Sequence, residues 1–344
     1  MSCATAKSAK TGPEILSVEQ NDMLTYRKHL LSKVQDRYDL GSNANTPLLS
    51  KSVFDAVDVR AEGNDPTAKF FQKSLIEKAD QIIGPESYLA WDGLYDCYTE
   101  ALVYLLARER KVWLEHIPTG DSSTPDFLGK SPSGKEARFE VKTLNISGGE
   151  FSQDEMAVDG LSAKYEAQTD AQKHRVGFGI HVISPHGAGA TGLDAVRQTI
   201  DKIRGNVRRG QYTNYPSYLI VSLDRLCLST SVEDMSETYK DHLGDTVSGH
   251  LFALALSKAD DTFIYTDCGS PGTKKALLGR EGVLREFDYV AGVIFLSAVW
   301  QELAEFDGAF RHSAYRMFGF RRGSADDPIH EVFDGICDHV SYLN

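Results

Sequence analysis

Two short predicted strands separated by a turn-forming linker constrain the fold more than any other feature of this sequence. The strands are residues 125–128 and 136–144, and the linker at 129–134 reads Gly-Lys-Ser-Pro-Ser-Gly. Facing residues of an antiparallel hairpin keep a constant sum of their numbers, and Asp126 and Glu140 are symmetric about residue 133, inside the linker. The segment therefore predicts a hairpin in which Asp126 and Glu140 are close neighbours.

Helical and strand patterns alternate on both sides of this hairpin. Before it, residues 92–110 have helical spacing of apolar residues and 111–117 are a predicted strand. After it, residues 192–209 are a predicted amphipathic helix and 218–223 an apolar strand. The alternation predicts an α/β core with a central mixed β-sheet flanked by helices.

Two further regions flank the core, which we assign to residues 86–230. A chain of 344 residues is long enough for two domains or for one domain with extensions. Residues 1–85 are a predicted N-terminal helical region, with helices at 17–37 and 66–83. Residues 231–344 are a predicted C-terminal extension packed on the core. Its predicted strands lie at 251–256, 262–266 and 290–297.

The charge and cysteine content limit the classes of protein to be considered. A formal net charge of −12 excludes a protein that coats nucleic acid indiscriminately, but allows an enzyme whose basic residues line one cleft. The five cysteines are scattered without a Cys-x-x-Cys pair, which fits reduced thiols in the cytoplasm. Because residues 1–12 lack a signal-peptide pattern and the longest apolar stretch, 290–300, is about half a membrane span, we expect a cytoplasmic protein without membrane contact.

The hairpin carries the residues from which chemistry can be inferred. Strand alternation puts Glu140 and Lys142 on one face of the second strand, and Phe139 and Val141 on the other. Two carboxylates as close as Asp126 and Glu140 repel each other unless a cation or a proton lies between them. Carboxylate oxygens suit a divalent cation such as Mg²⁺, and a neighbouring lysine can stabilise charge on a phosphate. The pattern predicts a site for phosphodiester hydrolysis.

Pro125-Asp126 followed by Glu140-x-Lys142 resembles the PD-(D/E)xK superfamily of nucleases, which has the restriction-endonuclease-like fold. The order helix, strand, motif hairpin, helix and strand over residues 90–225 is similar to the common core of that superfamily. The resemblance implies a magnesium-dependent endonuclease in which Mn²⁺ can substitute. It also implies nucleic acid as the partner, DNA in preference to RNA, and is compatible with a homodimer.

The resemblance also implies roles for individual residues. Asp126 and Glu140 would ligate the metal together with the carbonyl of Val141, and Lys142 would be catalytic. Glu100 matches a further acidic catalytic residue that many members carry on the helix before the first strand. The RecB-like branch has a downstream Gln-x-x-x-Tyr motif, to which we assign no residues at this point.

Two basic groups are candidates for nucleic-acid binding. Arg197, Arg204 and Arg208 recur along one stripe of the predicted helix at 192–209, beside its apolar stripe. Lys173 and Arg175 belong to a short basic cluster before a predicted strand at 177–184. The three helix arginines equally fit a solvated face on which Asp201 pairs with Arg197 and Arg204, and the cluster at 173–175 also fits plain protein surface.

Other interpretations of the sequence remain open. The charged residues of the hairpin also fit an exposed ladder of ion pairs. The chain as a whole also fits a nucleic-acid-binding module of the same fold without catalysis, or a scaffold protein that cuts nothing. A C-terminal segment in which Arg316 and Arg321 alternate with Phe318 and Phe320 fits either nucleic-acid binding or a helix end packed on the core.

Overall fold

The structure is a computed structural model, and it describes residues 49, 51–82, 88–118, 124–144, 168–170, 172–173, 186, 190–212, 216–226, 228, 230–267, 270–298 and 315–343. The helix predicted at 17–37 and the strand predicted at 177–184 lie outside these residues.

Seven strands form the central sheet, in the order β1-β2-β3-β4-β9-β10-β11. They are β1 (Trp113–His116), β2 (Phe127–Lys130), β3 (Glu136–Thr143), β4 (Ser217–Ser222), β9 (Gly292–Ala298), β10 (Tyr315–Arg322) and β11 (His339–Leu343). The pairs β3–β4, β4–β9 and β10–β11 are parallel and the others antiparallel. The predicted α/β class with a mixed sheet is therefore confirmed.

Two small hairpins and seven helices complete the described architecture. The hairpins are β5 (Thr238–Lys240) with β6 (Thr246–Ser248), and β7 (Thr262–Asp267) with β8 (Ser270–Leu277). The helices are α1 (Lys51–Glu62), α2 (Pro66–Asp80), α3 (Tyr88–Glu109), α4 (Gly192–Asn206), α5 (His250–Leu256), α6 (Val283–Glu286) and α7 (Glu331–Ile336). None of the described helices combines the length and the apolar character needed to cross a membrane.

The hairpin predicted from the linker is present, in the predicted register. Phe127 pairs with Phe139 and Lys130 with Glu136, a register that puts Asp126 opposite Glu140. Gly134 closes the turn with a φ of 81°, a left-handed conformation that glycine adopts without strain. The first strand is β2 rather than residues 125–128, so Asp126 stands directly before the strand.

Helices cover both faces of the sheet. On β4, Tyr218 and Ile220 belong to the hydrophobic core that contains α3, while Leu219 and Val221 belong to the core that contains α4. Every residue of β4 is buried, as expected for a parallel strand between two helical layers. The helices α3 and α4 therefore lie on opposite faces of the sheet.

The region after residue 230 differs from the prediction in two ways. The prediction of a strand at 251–256 is wrong, because His250–Leu256 is a helix, which buries Leu251 and Leu254. In addition, β9, β10 and β11 hydrogen-bond into the same sheet as β4, so a boundary at 230 divides one continuous sheet. The arginine- and phenylalanine-rich segment packs within the core, as one of the two interpretations held, but it is the buried strand β10 and not a helix end.

Candidate active site

Asp126 is held at the start of β2 by a backbone contact across the hairpin. Its Oδ2 accepts a hydrogen bond of 2.7 Å from the backbone N–H of Val141. This bond extends the hydrogen bonding between β2 and β3 by one residue, with the Asp126 side chain as acceptor just before β2 begins. The half-buried carboxylate is therefore fixed beside β3.

Glu140 and Lys142 lie two residues apart on β3 and bond to each other. The Lys142 ammonium donates to Glu140 Oε1 at 2.5 Å, and Gln211 Nε2 donates to the same oxygen. The Glu140 side chain is only 2% exposed. Its Oε2 is buried without a hydrogen-bond partner among the described residues, which is a costly arrangement for a carboxylate.

Helix α3 adds two more carboxylates to the same place. Glu100 and Asp96 are separated by one helical turn, so both project from one side of α3. Burial, and next the charge of Asp126, raises the pKa of Glu100 to about 8. Burial also raises the pKa of Asp96. The sequence analysis predicted Glu100 as part of the site but did not identify Asp96.

These side chains open into a cleft of about 300 Å³ at the end of the sheet where β3 ends and β2 begins. Its lining residues come from α3, the hairpin and α4: Asp96, Glu100, Asp126, Val141, Lys142, Thr143, Leu144, Lys202 and Asn206. Crevices beyond the carboxyl ends of strands are where open α/β sheets bind ligands. Three of the residues predicted as catalytic, Glu100, Asp126 and Lys142, thus share one cleft, with Glu140 buried behind Lys142.

The carboxylates of the cleft raise one another's affinity for protons. Burial raises the pKa of Glu140 to about 7, and the charge of Asp126 contributes further. Burial raises the pKa of Asp126 as well, although the Val141 N–H and Lys142 oppose the shift. Such a cluster binds either protons or a cation, because either one relieves the repulsion between the carboxylates.

The donor atoms fit a hard divalent cation in their chemistry. Asp96, Glu100 and Asp126 bring carboxylate oxygens to the cleft, and the buried Oε2 of Glu140 has no hydrogen-bond partner among the described residues. As they stand, no three His, Cys, Asp or Glu side chains of the described residues are arranged to hold one ion. Glu140 is instead engaged by Lys142 and Asp126 by Val141. A bound cation would therefore compete with Lys142 for Glu140.

The arginines predicted to bind nucleic acid lie apart from the cleft lining. Arg197 donates to the carbonyls of Leu278 and Leu277, at 2.7 and 2.6 Å. Arg204 bonds to Glu286 and lies 3.7 Å from Asp201, the partner expected in the alternative interpretation. The described contacts therefore join this side of α4 to neighbouring protein segments.

Of the three remaining basic candidates, the structure describes Arg208 and Lys173. Arg208 is exposed just after α4, and Lys173 is an exposed residue of a short helical segment. Arg175 lies outside the described residues. Binding of nucleic acid by Arg208, Lys173 and Arg175 stays a prediction.

Gln211 is a residue of the site that the sequence analysis missed. It lies in the one-turn 3₁₀ helix after α4, and its amide reaches Glu140 across the space between the two elements. A signal was present in the sequence, because Gln211 and Tyr215 have the Gln-x-x-x-Tyr spacing for which no residues were assigned. Tyr215 lies outside the described residues.

No family model, curated protein or solved structure matches this chain. Its function is therefore inferred from the geometry of the cleft and the chemistry of the residues that line it.

Proposed function

We propose that this protein is a metal-dependent endonuclease that hydrolyses phosphodiester bonds, of DNA in preference to RNA. The observation that carries the proposal is that Glu100, Asp126 and Lys142, from a helix and two strands, open into one cleft directly in front of Glu140. We propose further that residues 88–222 form a restriction-endonuclease-like core. The order α3, β1, β2, β3, α4 and β4 supports this, as does the pairing β1-β2-β3-β4.

Mg²⁺, or Mn²⁺ in its place, would be held by Asp126, Glu140 and the carbonyl of Val141. When bound, the cation supplies a more acidic water and stabilises the negative charge that grows on the phosphate. The chain's own contribution is to keep several carboxylates together despite their repulsion. Asp126 is fixed by the Val141 N–H, and Glu140 by Gln211.

Lys142 provides the positive charge for the substrate in this proposal. Its ammonium is half-buried at the cleft and is bonded to Glu140. If Glu140 held a cation, the Lys142 ammonium would be able to donate to a phosphate oxygen instead, where charge develops in the transition state. Burial, and next the charge of Asp126, raises the pKa of Glu100 to about 8, so without a cation this carboxyl keeps its proton at neutral pH.

The direct test is a cleavage assay on supercoiled plasmid and single-stranded DNA in Mg²⁺, in Ca²⁺ and in excess chelator. We expect cutting in Mg²⁺, binding without efficient cutting in Ca²⁺, and neither product nor nicking in chelator. Full activity in chelator would exclude the proposed chemistry. Binding without cutting in every metal would favour the inactive binding module, and the absence of both would favour the scaffold.

Lys142→Ala separates catalysis from binding. Because the lysine acts most strongly on the transition state, its loss should lower the single-turnover rate about a hundredfold, or roughly 3 kcal/mol. DNA binding in Ca²⁺ should change little. Lys135→Ala is the matched control, since Lys135 is an exposed lysine in the turn of the same hairpin. A Lys142→Ala variant with a normal single-turnover rate would remove the catalytic role.

A further inference from the structure

A second lysine, Lys202, lines the cleft, and the proposed chemistry does not use it. It comes from α4 on the opposite face of the sheet from α3, so it approaches the cleft from the other side of the strands. Lys142, by contrast, comes from the end of β3. The cleft therefore has an acidic wall formed by Asp96 and Glu100 of α3, and a basic residue facing it from α4.

The orientation of Lys202 is fixed by the packing of α4. Ile200 and Ile203 are buried in the core, which sets the rotation of the helix about its axis. Lys202 and Asn206 are one turn apart and both line the cleft. The Asn206 amide donates to the Lys202 carbonyl at 2.8 Å, which stabilises the last turn of the helix that presents the lysine.

The Lys202 side chain is half-buried, and burial lowers its pKa. Arg225 lowers the pKa further by repulsion, although Asp92, which pairs with Arg225 at 2.9 Å, opposes this effect. An anion bound in the cleft would stabilise the ammonium by adding negative charge beside it.

We propose that Lys202 is a positioning residue that binds a second phosphate of the same nucleic-acid strand, next to the phosphate that Lys142 contacts. This inference rests on the proposed function. A cleft of about 300 Å³ has the size of a small-ligand pocket, so two lysines that share it contact neighbouring groups of one strand. The preferred substrate is then a polynucleotide with successive phosphates, and an isolated phosphodiester meets only Lys142.

Two substrates and two variants test this assignment. The substrates are a short single-stranded DNA oligonucleotide and bis(p-nitrophenyl) phosphate, a diester without a neighbouring phosphate. Lys202→Ala should raise KM for the oligonucleotide roughly 10- to 100-fold, the range expected for a charged hydrogen bond, with little change in kcat. Hydrolysis of bis(p-nitrophenyl) phosphate should be unchanged. Lys202→Arg should restore most of the affinity, and Lys258→Ala, an exposed lysine outside the cleft lining, should change neither reaction.

Binding measurements give a readout that does not depend on cleavage. In Ca²⁺, the salt dependence of oligonucleotide binding should fall by roughly 0.7 in slope for Lys202→Ala, the value of one phosphate contact on a single strand. An unchanged slope with an unchanged KM would overturn the inference, as would an equal loss on both substrates. If the wild type cuts neither substrate but Lys202→Ala still lowers the slope of the salt dependence, the nuclease is refuted and the phosphate contact is retained.

Discussion

Two buried clusters of charge in this molecule differ in how completely their charges are matched. The first surrounds Arg321 on β10, whose side chain is fully buried. Its guanidinium donates two hydrogen bonds of 2.7 Å to Asp334 and a third, of 2.8 Å, to the carbonyl of Ser324. One cation thus meets one carboxylate in a bidentate pair, and the carbonyls of Arg322, Ser324 and Ala325 accept from its other N–H groups.

The second cluster, in the cleft, has an excess of one sign. Burial raises the pKa of Glu100 and Glu140, and the charge of Asp126 raises both further. Lys142 is the cation bonded directly to Glu140. One oxygen of Glu140 has no hydrogen-bond partner among the described residues. The cluster is therefore unbalanced as it stands, whereas the Arg321 cluster is complete.

The difference separates a structural use of buried charge from a functional one. A matched pair fixes the position of α7 against β10 and needs no ligand. An unmatched cluster costs stability, and folds retain such clusters mostly where a ligand or a reaction requires them. Substitutions in the two clusters should therefore affect different properties of the protein.

The largest effect is expected for Glu140→Gln. The change removes a proposed metal ligand, so cleavage should fall on the order of a thousandfold or more. The thermal midpoint in chelator should stay the same or rise, because one of several like charges is lost. Glu136→Gln, on the same strand beside Lys130, is the control and should affect neither property. Unfolding of Glu140→Gln, or undiminished cutting, would contradict the comparison.

Arg321→Met should show the opposite pattern. It leaves Asp334 without its partner, so the free energy of unfolding should fall by about 3 kcal/mol in urea titrations. The activity of the molecules that remain folded should be unchanged. Replacing both residues, as Arg321→Met with Asp334→Leu, should recover much of the stability. A folded Arg321→Met protein without activity would show that the two clusters are not separate.

The pH dependence of stability gives a smaller and graded test. The pKa of Glu100 is raised in the folded protein from 4.5 to about 8, so the folded state holds more protons than the unfolded state between these values. The free energy of unfolding in chelator should therefore decrease as pH rises through this window. Mg²⁺ or Glu100→Gln should flatten the decrease. An identical slope in the wild type and in Glu100→Gln would contradict the crowding of charge in the cleft.

Arg204→Ala should have the smallest effect on stability and on DNA binding. It compares the side of α4 that carries Arg204 with the side that carries Lys202. Arg204 is an exposed residue paired with Glu286, and exposed pairs contribute about 0–1 kcal/mol. Its loss should also weaken DNA binding less than Lys202→Ala does. Equal losses of binding, measured by titration in Ca²⁺, would support the sequence prediction that Arg197, Arg204 and Arg208 contact phosphates.

Local patterns predicted the parts of the fold that depend on neighbouring residues. The hairpin was predictable because its turn residues, its alternation and its numerical symmetry all agree. The start of α2 was predictable for a similar reason. Asp65 precedes Pro66, and its side chain accepts from the N–H groups of Thr67 and Ala68.

Elements that depend on distant partners were not predictable in the same way. The run Leu-Phe-Ala-Leu-Ala-Leu at 251–256 is short and wholly apolar, so its periodicity fits a buried strand as well as the observed helix. The basic residues of β10 resemble a surface segment until Asp334, from α7, is known to lie against Arg321.

The same limit applies to the site. Asp126, Glu140 and Lys142 come from one hairpin, which local reasoning can assemble. Asp96, Lys202 and Gln211 come from other elements. Gln211 had a sequence signal in its spacing to Tyr215, whereas an aspartate or a lysine on a helix has no feature that marks it as part of a cleft. Their roles follow from the packing of α3 and α4 around the strand ends.

The central claim, that Asp126 and Glu140 share a divalent cation, is tested most directly by a crystal structure at saturating Mn²⁺ with anomalous diffraction. We expect an anomalous peak about 2–2.5 Å from an oxygen of each carboxylate, with Lys142 no longer bonded to Glu140. Absence of a peak in the cleft, with the bond between Lys142 and Glu140 retained, would contradict the claim.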